Sequence, residues 1–296
     1  MIQRLAAFIL ILFICPFSAY PHDGNKPWEI KTGIRKSFIE NKGQFNNSPA
    51  KQPVLYAYDN GSTMIYFTTK GVTYSFVKRW KKEEKESRDE NSEGREGNEK
   101  EERRMEFKTD VIHQNWENAN TDVEIIPGDP TNDYHSYYFK DQSGNGRNEN
   151  FIKGFGKLTY KNIYPFIDIE YDFHPIDGLK YILILHPGAD ISKVKMNYSE
   201  AIKLNDNGDI HIQTLFGDII DHAPSTYYDD SRSRIISSRF KKTGKQISFQ
   251  LGDYDHSKLI IIDPWTQTPA LPNSNCVWEC EKDGAGNAYI IGGDSP

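Results

Sequence analysis

Along most of this chain the apolar side chains fall at every second position. Val72, Tyr74 and Phe76 alternate with Thr73 and Ser75, and Ile167, Ile169, Tyr171 and Phe173 alternate with Asp168, Glu170 and Asp172. A period of two puts one set of side chains on each face of a strand, so these segments predict β-strands with one buried and one wetted face. The same reading gives strands at Val54 to Tyr58, Thr63 to Thr68, Val72 to Val77 and Tyr134 to Phe139, and a short one around Leu158 and Tyr160. Further strands follow at Ile167 to Phe173, Leu179 to Leu185 and Lys193 to Tyr198, then in IHIQTLFGDII, STYYDD, RIISSRF, KQISFQLGDYD and KLIIIDP. Asn60-Gly61, Lys70-Gly71, Asp177-Gly178 and Asp206-Asn207-Gly208-Asp209 punctuate them with residues that tolerate positive φ in tight turns. Strands this closely spaced, without helical periodicity, predict an all-β, antiparallel, sandwich-like fold. The halves on either side of about Gly128 could form one sandwich or two packed β modules. Leu179 to Leu185, apolar at nearly every position, is the candidate for the centre of the sheet.

Three stretches break the pattern. MIQRLAAFILILFICPFSA places Arg4 before an apolar run from Leu5 to Phe17 and small residues at Ser18 and Ala19, the layout of a secretory signal peptide over residues 1–19. Residues 20–37 are polar, contain Pro21 and Pro27, and read as a leader. Residues 78–104 carry almost no apolar side chain and mix both charge signs, which predicts a disordered insertion between two strands. No later segment is apolar enough to span a membrane as a helix. The expected location is therefore secreted or at the cell surface.

With 36 basic and 42 acidic residues the net charge is −6, which gives no sign of a nucleic-acid-binding surface. Past the signal segment only Cys276 and Cys280 remain, and without clustered histidines they read as separate thiols rather than a metal site or a disulfide framework. The eight histidines are scattered and none forms an HExxH pair. Asp206 to Asp209 has the look of a calcium loop but lacks the length and the distal glutamate of an EF-hand, and a β-turn accounts for it. Asp168, Glu170 and Asp172 could serve acid–base chemistry, yet the wet face of a half-exposed strand gives the same spacing. Asp229 and Asp230 form a second acidic pair. Tyr134, Tyr137, Tyr138, Tyr227 and Tyr228 could stack on sugar rings if exposed, or form the rim of buried strands. No catalytic residue, metal ligand or cofactor-binding residue is assigned.

Several segments in order, FIENKGQF, GVTYSF, GFGKLTYKNIYPFIDIEYDF, GLKYILILHPGADISKVKMNYSEA, LNDNGDIHIQT and LGDYDHSKLIIIDP, resemble the N-terminal DUF7948 domain of bacterial cell-surface proteins that carry SBBP β-propeller repeats. The resemblance spans residues 38–265. Residues 266–296 then read as a linker and the opening of one such repeat, where CVWEC leads through DGAGN to AYIIGG. The resemblance implies an exported, non-catalytic surface or adhesion module whose partners are extracellular glycans or proteins, and it brings no catalytic residue with it. A carbohydrate-binding module, motivated by the tyrosines, and a secreted glycoside hydrolase, motivated by the acidic pairs, are the alternative readings. Adjacent or alternate carboxylates do not by themselves set the spacing that glycosidases need.

If Leu179 to Leu185 is central and Glu170 solvated, Ile184→Asp abolishes cooperative thermal unfolding while Glu170→Gln leaves it in place.

Overall fold

The computed structural model describes residues 36–81, 105–141, 143–175, 178–271, 276–282 and 288–293, the last two by backbone alone. The signal peptide, nearly all of the polar leader, the acidic and basic run at 82–104 and the DGAGN turn lie outside the described residues. The strands are β1 (Phe38–Glu40), β2 (Tyr56–Asn60), β3 (Thr63–Thr68), β4 (Gly71–Lys81), β5 (Met105–Trp116), β6 (Glu124–Lys140) and β7 (Gly146–Tyr164). They continue with β8 (Ile167–Phe173), β9 (Leu179–Leu185), a 3-10 turn at Ile191–Lys193, β10 (Lys195–Tyr198), β11 (Ile202–Leu204), β12 (Ile210–Thr214) and β13 (Gly217–Asp221). The last are β14 (Ser225–Tyr228), β15 (Ser231–Ile236), β16 (Ser238–Thr243), β17 (Gln246–Leu251), β18 (Ile260–Asp263) and β19 (Trp265–Gln267), followed by a separate hairpin of β20 (Cys276–Lys282) and β21 (Ala288–Gly293). The described residues are all-β, and their paired strands are antiparallel. Among the described residues no helix is long and apolar enough to cross a membrane.

Strands β1 to β19 belong to one hydrogen-bonded network. One run of neighbours goes β16, β17, β10, β5, β4, β3, β2, β1. A second goes β6, β7, β8, β9. The two join where β1 lies against β7, with Phe38 opposite Phe155. Beyond β9 the second run divides. Leu183 to Leu185 pair with β18, whereas Leu179 and Lys180 pair with β19. Pro264 stands between those two partner strands, and a residue without an amide hydrogen is a natural place for a ladder to break. β18 leads on to β14 and β15, and β19 to β13, β12 and β11.

Both runs feed one core. The rings of Phe67 on β3 and Tyr171 on β8 meet edge to face at 5.3 Å. The Trp116 indole N–H donates to the Tyr171 hydroxyl at 2.9 Å, and the Tyr160 hydroxyl donates to the Thr68 carbonyl at 2.9 Å. These two buried tyrosines are tolerated because their hydroxyls find partners; an unsatisfied one would cost roughly 1–3 kcal/mol. Deepest among the polar groups is Asp221, fully buried, whose carboxylate accepts from the hydroxyls of Tyr181 (3.3 Å), Tyr198 and Thr266. Burial pushes its pKa up, and the three hydroxyl donors with nearby His222 work against that shift.

Three expectations are corrected. The charged run does not begin at residue 78, because Lys78 to Lys81 continue β4 and pair with Met105 to Lys108, with the Lys108 ammonium 5.9 Å from the Trp80 ring. The short strand around Leu158 and Tyr160 is part of the 19-residue β7. Finally, the acidic face of β8 is not a wet one: Asp168 is only 2% exposed and Glu170 and Asp172 are half-buried, because strands flank β8 on both sides and bring cations to that face. In β9 the buried face is Leu179, Tyr181, Leu183 and Leu185, while Ile184 is half-buried opposite Asp168.

The sensitive position is therefore Leu183. Leu183→Ala should lower the unfolding free energy by about 2–5 kcal/mol, the range for an emptied core leucine, read from the urea midpoint at unchanged m-value.

Candidate functional site

Three of the five described non-glycine residues with positive φ lie around the β7–β8 turn, the other two being Asp129 and Phe151 on β6 and β7. The three are Asn118 (54°), Asn162 (48°) and Phe166 (62°). The first follows β5, and the other two sit at the β7 end and in the β7–β8 turn. A bulky residue held in this region costs of order 1–3 kcal/mol and persists only where its surroundings over-determine it. Here the surroundings are explicit. Asn120 N–H donates to the Ile163 carbonyl (2.8 Å), Glu117 N–H to the Lys195 carbonyl (2.8 Å), and His186 N–H to the Phe166 carbonyl (2.9 Å). The Tyr164 hydroxyl bridges the carbonyls of Glu117 (2.7 Å) and Lys195 (3.3 Å), and burial pushes its pKa up to about 12.

Asp168 is the electrostatic anchor of this end. One carboxylate oxygen accepts from the Asn162 amide at 2.8 Å, which fixes the left-handed residue in the irregular stretch where the β7–β8 register shifts. The other meets Lys161 Nζ at 2.7 Å and His186 Nε2 at 3.0 Å. Burial alone would raise the carboxyl's pKa, but the bonds from Lys161, Asn162 and His186 and the lysine's charge outweigh it and hold it below the ordinary 3.8. The group is thus an ionised structural tie. It is not a proton donor at neutral pH.

Between the β5 end, the β7–β8 turn and the 3-10 turn lies a concavity of about 490 Å³ lined by Asn118, Tyr164, Pro165, Ser192, Lys193 and Lys195. Asp190 caps the 3-10 turn, its Oδ1 accepting from the Ser192 amide (3.0 Å) and hydroxyl (2.6 Å). That cap fixes the turn that carries Ser192 and Lys193. Sequence reasoning missed this site, because its residues come from three segments and none carries a motif.

The residues singled out from sequence fare unevenly. Glu170 pairs with Lys157 at 3.0 Å and Asp230 with Lys258 at 2.6 Å. Asp229 is exposed beside Asp230, and neither lies with the β8 acids. Tyr227 and Tyr228 are both buried, with Arg232 and Arg234 over their rings at 5.4 and 4.2 Å, so neither offers an open face. Tyr137 is half-buried and donates to Asp59 at 3.1 Å. Tyr134 and Tyr138, by contrast, are 59% and 77% exposed on the β6–β7 ribbon, and Phe151 beside Tyr134 is 76% exposed. Asp206 to Asp209 is a tight turn closed by Asn205 N–H to the Asp209 carbonyl at 2.8 Å. Asp209 also lies 3.3 Å from His222, one of two imidazoles that sandwich Trp265, with His174 on the other face (centroids 4.0 and 4.1 Å). No group of three or more potential metal ligands occurs among the described residues. Cys276 and Cys280 lie on β20, opposite Gly293 and Ile290.

Residues 38–265 match the family model of a domain of unknown function, DUF7948. No curated protein and no solved structure matches the chain.

A depressed carboxylate pKa stabilises the fold above the unfolded-state value and ceases to do so as pH falls through the folded one. Acid unfolding of the native protein should therefore show a component below about pH 4 that is missing from Asp168→Asn. That variant should also lose about 1–3 kcal/mol at pH 7, measured by denaturant titration.

Proposed function

We propose, since the chain belongs to the DUF7948 family over residues 38–265, that it is an exported, non-catalytic surface or adhesion module. In this reading the β-rich body is a sandwich whose leaves are the two runs of strands. It stands ahead of an SBBP-type propeller array, of which the β20–β21 hairpin is the first piece.

The observation that carries the reading is how the acidic side chains are used. Asp168, Glu170, Asp221 and Asp230 each hold cations or hydroxyls of the scaffold. Three of the five exposed large aromatic side chains among the described residues, Tyr134, Tyr138 and Phe151, share the β6–β7 ribbon, the others being Phe107 and Phe166. Such a distribution suits a protein that presents surface to a partner. It also favours a carbohydrate-binding module as the second reading, because a ring as open as that of Tyr138 can stack on a sugar. A glycoside hydrolase fits less well, since each of these four carboxylates already has structural partners.

Deleting the gene should reduce attachment of cells to extracellular matrix or disturb assembly of their surface, scored by adhesion counts and surface proteomics. An unchanged phenotype in both would remove the surface-module reading. Independently, Tyr138→Ala combined with Phe151→Ala should leave the melting temperature within about 2 °C, as expected for exposed positions, and abolish any glycan-array signal from neutral sugars. Retained signal would place sugar binding elsewhere.

A further inference from the structure

We propose that the concavity between the β5 end, the β7–β8 turn and the 3-10 turn binds an acidic saccharide, with Lys193 and Lys195 taking its carboxylate. The inference rests on the surface-module reading and names a ligand class for it.

The argument starts with charge. The chain is acidic overall, at −6, yet two lysines share the lining of this one hollow. Lys195 has no carboxylate within 4 Å among the described residues, and Lys193 has only Asp190 at 3.9 Å, itself engaged by the Ser192 amide and hydroxyl. The other nearby carboxylate, Glu117, accepts from the Gln246 side chain. Asp168, behind the β7–β8 turn, is occupied by Lys161 and His186. Lys195 thus lines the hollow without a carboxylate partner, and Lys193, held only by Asp190 at 3.9 Å, lines it too, so the pair offers more attraction to a carboxylate than to a neutral hydroxyl.

The remaining lining fits the rest of a sugar. Asn118 makes no side-chain hydrogen bond within the described residues and supplies both an amide donor and an acceptor. Ser192 donates to Asp190, so its oxygen remains an acceptor for a ligand hydroxyl. Tyr164 and Pro165 provide an apolar wall for ring C–H groups. A volume of about 490 Å³ lies within the ordinary range for small-ligand sites. The strained Asn118 and Phe166 and the double hydrogen bond of Tyr164 hold the walls in place before any ligand arrives, which lowers the ordering cost of binding.

The test is calorimetric titration of the full chain with trigalacturonic acid, galactotriose and sodium sulfate, in the native protein and in Lys195→Gln, Lys193→Gln and the control Lys153→Gln. The expected result is binding of trigalacturonic acid at least about tenfold tighter than of galactotriose, a difference worth about 1.4 kcal/mol, weakening as salt is raised. Lys193→Gln and Lys195→Gln should each reduce that binding severalfold or more, and Lys153→Gln should not. Equal affinity for the acidic and neutral trisaccharides overturns the role of the lysines while leaving sugar binding intact. Sulfate binding as tightly as the acidic trisaccharide reduces the hollow to a bare anion site and overturns the saccharide assignment. No binding of any probe overturns the inference alone, because the surface-module reading is decided by the deletion phenotype.

Discussion

The fold is tied together at a single fully buried carboxylate. Asp221, at the end of β13, receives hydroxyls from Tyr181 on β9, Tyr198 on β10 and Thr266 on β19. β10 belongs to the first run of strands and the other three to the second, so the contact joins the two halves of the network through their shared interior. A lone buried carboxylate would be prohibitive. Surrounded by hydroxyl donors it becomes a directional constraint, satisfied only when all four strands are in register. That requirement helps explain why this core is rich in tyrosine rather than purely aliphatic: Tyr74, Tyr160, Tyr171, Tyr181 and Tyr198 are all buried there. Each supplies apolar area along its ring and a donor at its tip.

The loop end that carries the hollow depends on a smaller version of the same principle. Asp168 is buried and multiply bonded, and through the Asn162 amide it dictates an irregular path at the end of β7. Its other partners, Lys161 and His186, bracket the following turn. Electrostatics in the interior thus sets backbone geometry at the surface, and that geometry brings Asn118, Tyr164 and the residues of the 3-10 turn around one hollow.

Much of the strand pattern could be read directly from alternation. Thr63 to Thr68, Ile167 to Phe173 and Leu179 to Leu185 coincide with β3, β8 and β9. What alternation could not show is which polar face is covered. Asp168 has the spacing of a solvated residue, and only the neighbouring strands, with Lys161 and His186, make it an interior one. The same limit misplaced the critical aliphatic in β9 at Ile184, because that strand is apolar on both faces and local sequence does not say which side meets the core. The candidate site was illegible for a different reason. Asn118, Pro165 and Lys195 are ordinary residues in separate segments, and pairing of β10 with β5 is what brings their neighbourhoods together.

The division of β9 between β18 and β19 has a kinetic side. Its partner β8 is adjacent in sequence, but its other edge is completed only by strands near residue 265. Contacts so distant along the chain close slowly. Until they do, the sequence LKYILIL presents an unpaired apolar edge, which is the kind of segment that templates association between copies. Pro264 falls where the completing strands change over, so one edge is sealed by two short pieces rather than one long strand. The vulnerable interval for this protein is therefore the time between making β9 and delivering Ile260 to Gln267, and yield on refolding should be governed by concentration during that interval more than by final stability.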